Sequence, residues 1–176
     1  MLLIVDLLLL GCLGIVVFQD FKHRQISWLL IPTIFVAFVG KALLVIGVNS
    51  SLIINTIWNS TFILIQIVLL TVYMSIKNKK LVNIVNTYLG IGDVLFFIVL
   101  CAAFSPVNYI VFYLASTLLT LIGFLFYNII SKKATREIPL AGAMAGGLLI
   151  LIIVNRIKPQ LNFYNDDFLL NIISTL

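Results

Sequence analysis

Charged residues are scarce in this chain of 176 residues: they make up 10% of it, whereas hydrophobic residues make up 62%. Soluble domains carry about 25% charged residues and about 45–50% apolar residues. A globule of this length has too much surface to cover with so few charges. The composition therefore excludes a soluble enzyme, a nucleic-acid-binding protein, a coiled coil and a disordered tail.

Cysteine and histidine are also scarce, with two cysteines and one histidine. Cys12 and Cys101 lie in apolar stretches and form no CxxC pair, so the sequence lacks zinc ligands and a thioredoxin-type motif. We do not expect a disulfide between them. His23 has no plausible Ser or Cys nucleophile as a partner, which argues against nucleophilic hydrolysis. We predict no metal site and no cofactor.

Long apolar blocks dominate the chain instead, each close to the roughly 20 residues that cross a ~30 Å hydrocarbon layer. They predict an all-α membrane bundle of about six transmembrane helices that forms one domain over residues 1–176. The predicted spans are 2–19, 28–48, 54–76, 90–104, 109–130 and 138–154. A short helix over residues 81–89 is expected at the membrane interface. The first block has no basic segment before it and no small-residue cleavage site, so we expect it to be retained.

Basic residues are unevenly divided between the predicted loops, and this division predicts the orientation. Eight lie after the first, third and fifth spans: Lys22, Arg24, Lys77, Lys79, Lys80, Lys132, Lys133 and Arg136. The opposite side holds Arg156 and Lys158, while Lys41 lies inside the second span. Cytoplasmic loops carry an excess of Lys and Arg, so loops 20–27, 77–90 and 131–137 are predicted to be cytoplasmic and both termini external.

Acidic residues within apolar spans are candidates for function because a carboxylate in a membrane is costly. Asp6 is close to the outer end of the first span, where we expect it to reach the interface. Asp166 and Asp167 are expected in an exposed tail.

Asp93 is the most informative of the acidic residues. It precedes the turn at Ser105 by 12 residues, about 18 Å of helix, which is well short of a ~30 Å layer. We therefore expect Asp93 below the membrane surface on the cytoplasmic side. The flanking Gly90 and Gly92 permit close approach of another helix, although an aspartate that caps a helix N-terminus is an alternative interpretation.

Three segments resemble motifs of the type IV prepilin leader peptidases and preflagellin peptidases, a family of intramembrane aspartic peptidases. Gly90-Ile91-Gly92-Asp93 matches the GxGD motif of that family. Asp20, followed by basic residues and then Ile26, is similar to the first motif, in which Asp and a basic stretch precede Ile-Pro-Asn. Residues 137–142, Glu-Ile-Pro-Leu-Ala-Gly, resemble the late Glu-Ile-Pro-Phe-Gly-Pro segment. The three motifs occur in the family's order and extend over nearly the whole chain.

The chain also departs from the family pattern. The departures are at Ser27, Trp28, Val94, Leu95, Leu140 and Ala143. The paired-cysteine domain of larger members, which carries methyltransferase activity, has no counterpart in this sequence. The resemblance therefore implies a short form that cleaves its substrate without methylating it.

The resemblance implies an endopeptidase whose catalytic residues are Asp20 and Asp93. Four residues are implied to bind substrate or support the site: Gly90, Gly92, Glu137 and Pro139. Two carboxylates in close contact share a proton, so one can act as a base and the other as an acid. The implied substrate is a type IV pilin-like precursor, whose basic leader would be removed at the cytoplasmic face of a prokaryotic inner membrane.

Two other functions fit the same sequence. Intramembrane carboxylates also serve as proton or cation relays in transporters and channels, and Asp93 could act in this way. Apart from Asp6, Lys41 and Gln66, however, the spans offer few polar residues for an ion path. The other alternative is a non-catalytic scaffold that retains the peptidase fold.

Overall fold

The computed structural model describes residues 1–131, 138–157 and 163–166, and all regular secondary structure within them is helical. The helices are α1 (Leu2–His23), α2 (Leu30–Ile46), α3 (Ser50–Asn78), α4 (Ile84–Thr87), α5 (Ile91–Cys101), α6 (Pro106–Ser131) and α7 (Leu140–Ile157). Four of them, α1, α3, α6 and α7, are long and apolar enough to cross a membrane. The predicted all-α membrane bundle is confirmed.

The other two predicted spans form shorter helices. The 17 residues of α2 extend about 26 Å and the 11 residues of α5 about 16 Å. The shortness of α5 agrees with the spacing argument for Asp93. The interfacial helix predicted over residues 81–89 is much shorter than expected, since α4 has four residues and begins after Asn83, whose side chain accepts a hydrogen bond from the Val85 N–H. Ile84 is buried, so this turn packs against the protein.

α1 continues beyond its predicted end at Gln19, which places Asp20 inside the helix instead of in a loop. The helix ends at Arg24, which adopts the left-handed conformation with φ 55°. Lys22 and His23 lie in the last turn, where basic side chains complement the negative end of the helix dipole. The polar stretch after Gln19 therefore extends the helix by one turn.

α1 lies between α2 and α7 and contributes much of the core. Leu9, Leu13 and Val16 are fully buried, and their spacing of three or four residues places them on one face of the helix. Met144 and Leu148 of α7 are buried in the same core cluster. α5 packs against α2, α3 and α7, while α6 packs against α7 and α3.

Many large apolar side chains face away from this core. Leu119 is 69% exposed and Ile130 is 80% exposed. Such a surface would cause aggregation in water, whereas in a bilayer it contacts lipid chains. The exposed apolar surface and the four long apolar helices together indicate a multi-pass membrane protein.

An ion pair joins three helices at the end of the bundle remote from Asp20. The Asp6 carboxylate lies 2.7 Å from Lys41 Nζ of α2 and 3.6 Å from Arg156 of α7. The expectation that Asp6 reaches the interface did not include these partners. An unpaired Lys41 within an apolar span would cost several kcal/mol, and the pairing with Asp6 offsets that cost.

Asp166 also differs from its prediction as an exposed tail residue. Its Oδ1 accepts hydrogen bonds from the Ser105 hydroxyl at 2.5 Å and from the Asn108 N–H at 3.1 Å. The first N–H groups of α6 have no partner within the helix, so Asp166 satisfies one of them. Asp167 lies outside the described residues.

Candidate active site

Asp20 lies in the last turn of α1 and points towards the first turn of α7. Its side chain is buried, with the residue 6% exposed. Its Oδ2 accepts a hydrogen bond of 2.6 Å from the Gly142 N–H. The Asp20 carbonyl oxygen accepts a hydrogen bond from the Arg24 N–H at the end of the helix. The backbone of Asp20 is thus held within α1, and its carboxylate is held by α7.

Asp93 reaches the same turn of α7 from the beginning of α5. Gly90 is the N-cap of α5, and Asp93 lies in its first turn. Asp93 Oδ1 accepts a hydrogen bond of 2.9 Å from the Ala141 N–H. Asp20 and Asp93 therefore bind the N–H groups of two consecutive residues, although they are far apart in the sequence.

The separation of the two carboxylates is limited by this geometry. Because consecutive Cα atoms are 3.8 Å apart, the two bonded oxygens lie within about 9 Å of each other. Two negative charges at such a separation repel each other. Asp20 and Asp93 therefore lie together at the same turn of α7, as the sequence predicted.

The beginning of α7 is a place where carboxylates are favourable. The first N–H groups of a helix lack intrahelical partners, and the helix dipole places about half a positive charge there. Pro139 immediately precedes α7 and is buried. Its carbonyl oxygen accepts the Ala143 N–H at 3.0 Å, which closes the first turn. The supporting role of Pro139 stays a prediction, and Glu137 lies outside the described residues.

Glycine is required where the aspartates approach their neighbours. A Cβ atom at Gly142 would lie 2.9 Å from both Cβ and Oδ2 of Asp20, which is closer than side-chain atoms pack. A Cβ atom at Gly90 would lie 3.1 Å from Asp93 Oδ2. At Gly92 the nearest atom would be Ile26 Cδ1 at 3.4 Å, which is an ordinary contact, so the packing does not require glycine there.

Gly142 is not among the site residues predicted from the sequence, and the structure places it against Asp20. Its position in the late motif, three residues after Pro139, is the signal that could have identified it. Sequence reasoning also missed Gln19. The Gln19 amide donates to the Ser27 hydroxyl at 3.0 Å and accepts from the Ser27 N–H at 2.9 Å. These two bonds fix the segment that connects α1 to Ile26.

The described residues contain no group of three or more His, Cys, Asp or Glu side chains that could hold a metal ion. Within the described part of the chain, the site consists of two carboxylates, two backbone N–H donors and closely packed glycines. Such an arrangement can bind and transfer protons. Paired carboxylates of this kind can act on a bound water molecule.

Comparisons with protein-family models, with curated proteins and with solved structures give no match to this chain. The family resemblance therefore depends on the three sequence motifs.

Proposed function

We propose that this protein is a membrane-embedded aspartic endopeptidase. The observation that carries the proposal is that Asp20 and Asp93 accept hydrogen bonds from consecutive N–H groups at the beginning of α7. Carboxylates within a membrane bundle are energetically costly, and residues of this kind mark functional sites. The motif resemblance assigns the catalytic role to the same two residues.

The proposed reaction uses the pair as an acid and a base. Two neighbouring carboxylates cannot both ionise readily, so the pair holds one proton. The ionised carboxylate takes a proton from water while the protonated one donates a hydrogen bond to the scissile carbonyl. Water oxygen then bonds to the carbonyl carbon, the C–N bond breaks, and the leaving amine takes up a proton from the pair. The reaction consumes one water molecule and restores the original protonation state.

The proposed substrate is a type IV pilin-like precursor in a prokaryotic cytoplasmic membrane. Asp20 lies one turn before the end of α1, a helix long enough to cross the membrane. A scissile bond at the junction of a basic leader and an apolar helix would lie at that level. The charge distribution of the loops supports the cytoplasmic face as the side of cleavage.

Asparagine variants test the proposal because they keep an oxygen that can accept the α7 N–H. Purified wild type, Asp20→Asn and Asp93→Asn should be mixed in detergent with a pilin-like precursor, and the products weighed by mass spectrometry. We expect each variant to lose at least about 100-fold in cleavage rate, the range of general acid–base catalysis. The double variant should be no slower than either single variant, because residues that act as a unit are not additive.

Asp166→Asn is the matched control, since it makes the same chemical change at the opposite end of the bundle. It should cleave at the wild-type rate. Wild-type cleavage by folded Asp93→Asn would refute the proposal and leave the two aspartates as caps of α7. Failure of the wild type to cleave any pilin-like precursor would favour a non-catalytic scaffold.

A further inference from the structure

A long groove lies between α6 and α7, next to the aspartates but separate from them. Its volume is about 780 Å³. Its lining is mainly apolar and includes Leu119, Gly123 and Phe124 of α6 and Ala143, Gly147 and Leu151 of α7. Phe21 and Arg24 lie at one end of it, where α1 ends. The groove therefore begins at the polar end of the bundle and continues along two membrane helices.

The dimensions of the groove are those of hydrocarbon chains. Its lining on α6 extends from Tyr127 to Phe112, a distance of about 22 Å at 1.5 Å per residue. The mainly apolar lining over this length suits an extended acyl chain.

Arg24 supplies a positive charge at the end of the groove. Its Nη1 is buried and has no hydrogen-bond partner in the described structure. α1 has 22 residues and extends about 33 Å, slightly more than a ~30 Å hydrocarbon layer. Arg24 immediately follows α1 and thus lies at the level of the lipid headgroups. A buried guanidinium N–H without a partner is unfavourable, and a phosphate oxygen is well suited to accept from it.

We propose that the groove is a binding site for one anionic phospholipid. The phosphate accepts hydrogen bonds from Arg24, and an acyl chain lies in the groove between α6 and α7. The site is independent of the proposed peptidase activity, since it needs neither Asp20 nor Asp93. It places a lipid against Phe21, next to the catalytic end of α1.

Native mass spectrometry tests the headgroup contact. The full chain should be released from micelles that contain equal amounts of phosphatidylglycerol and phosphatidylcholine. We expect the wild type to retain one phosphatidylglycerol molecule in preference to phosphatidylcholine. Arg24→Gln should reduce this preference about ten-fold. Lys22→Gln is the matched control because it removes the same charge two residues away, where Lys22 Nζ lies over the Phe18 ring at 5.0 Å. Lys22→Gln should retain the lipid.

Glycine-to-leucine variants test the acyl contact. Gly123 lines the groove, whereas Gly11 of α1 is exposed outside it, and a Cβ atom added at either glycine would meet no atom within 4 Å. Gly123→Leu should lose the lipid and Gly11→Leu should keep it. Equal losses in Arg24→Gln and Lys22→Gln, equal retention of the two lipids, or full retention in Gly123→Leu would each overturn the proposal. Retention of a co-added apolar peptide helix in place of lipid would also overturn it.

Discussion

Gly142→Ala tests whether Asp20 lies against the first turn of α7. The added Cβ atom would lie 2.9 Å from Asp20 Cβ and 2.9 Å from Asp20 Oδ2. The carboxylate oxygen can rotate away, but Asp20 Cβ is fixed to the backbone of α1. The two helices must therefore separate, or the hydrogen bond from the Gly142 N–H to Asp20 must break.

Each of these responses has a known range of cost. Overpacking costs about 1–3 kcal/mol, and a hydrogen bond to a charged group contributes about 1.5–3 kcal/mol. Alanine is better than glycine within a helix by about 1 kcal/mol. The less costly of the two responses determines the loss, and the helix propensity of alanine offsets part of it. We therefore expect Gly142→Ala to lower the free energy of unfolding by about 0–2 kcal/mol.

Gly146→Ala is the matched control one turn further along α7. There the new Cβ atom would lie 4.0 Å from Val17 Cγ2, an ordinary contact. This variant should gain about 1 kcal/mol from helix propensity. The two variants should therefore differ by about 1–3 kcal/mol in the free energy of unfolding. For a chain of this size this corresponds to about 2–12 °C in Tm, measured by circular dichroism in detergent.

Cleavage provides a second measurement of the same displacement. A shift of about 1 Å in a catalytic group can cost about 100-fold in rate, so Gly142→Ala should be slow even at temperatures where it is folded. Equal melting temperatures for Gly142→Ala and Gly146→Ala would show that Asp20 does not contact Gly142, which would refute the site geometry.

Three further predictions concern the rest of the bundle. Asp6→Ala leaves Lys41 buried without its close partner and should destabilise the fold by about 3–5 kcal/mol. Asp6→Leu combined with Lys41→Met should recover most of this loss. Thermal unfolding of the variants measures both effects. Asn59→Leu removes the donor to the carbonyl oxygens of Cys101 and Phe104, at 2.9 and 2.8 Å, and should cost about 1–3 kcal/mol for the unsatisfied carbonyls, seen as faster amide exchange at the end of α5. A membrane-impermeant thiol reagent should label Lys79→Cys only after the cells have been opened. Labelling in intact cells would contradict the predicted orientation.

The architecture was predictable from the sequence because it depends on apolar length. The long apolar blocks predicted the membrane helices, and the 12 residues between Asp93 and Ser105 predicted that α5 is short. The motifs predicted that Asp20, Asp93 and the segment around Pro139 belong together. The helix lengths are local information, whereas the grouping of the motifs depends on the family resemblance.

The individual contacts were not predictable, because they depend on which helices are neighbours. Helices that are apolar on every side carry no clear signal of which face meets which partner. The pairing of Asp6 with Lys41 requires α1 to lie beside α2, and the contact of Asp166 with Ser105 requires residues 163–166 to lie beside the beginning of α6. Isolated polar residues in spans indicate that partners exist, but only the packed structure identifies them.

The contacts of Asp20 and Asp93 also account for how two carboxylates can be held in one apolar bundle. The N–H groups of Ala141 and Gly142 favour a negative charge on each aspartate, and the dipole of α7 adds about half a positive charge at the same point. Repulsion between the aspartates opposes a second negative charge. The N–H groups and the dipole of α7 therefore favour the first negative charge, and repulsion acts against the second. A pair with one proton and one negative charge is the state that the proposed hydrolysis requires, so the backbone of α7 would take part in the chemistry by setting the charge of the pair.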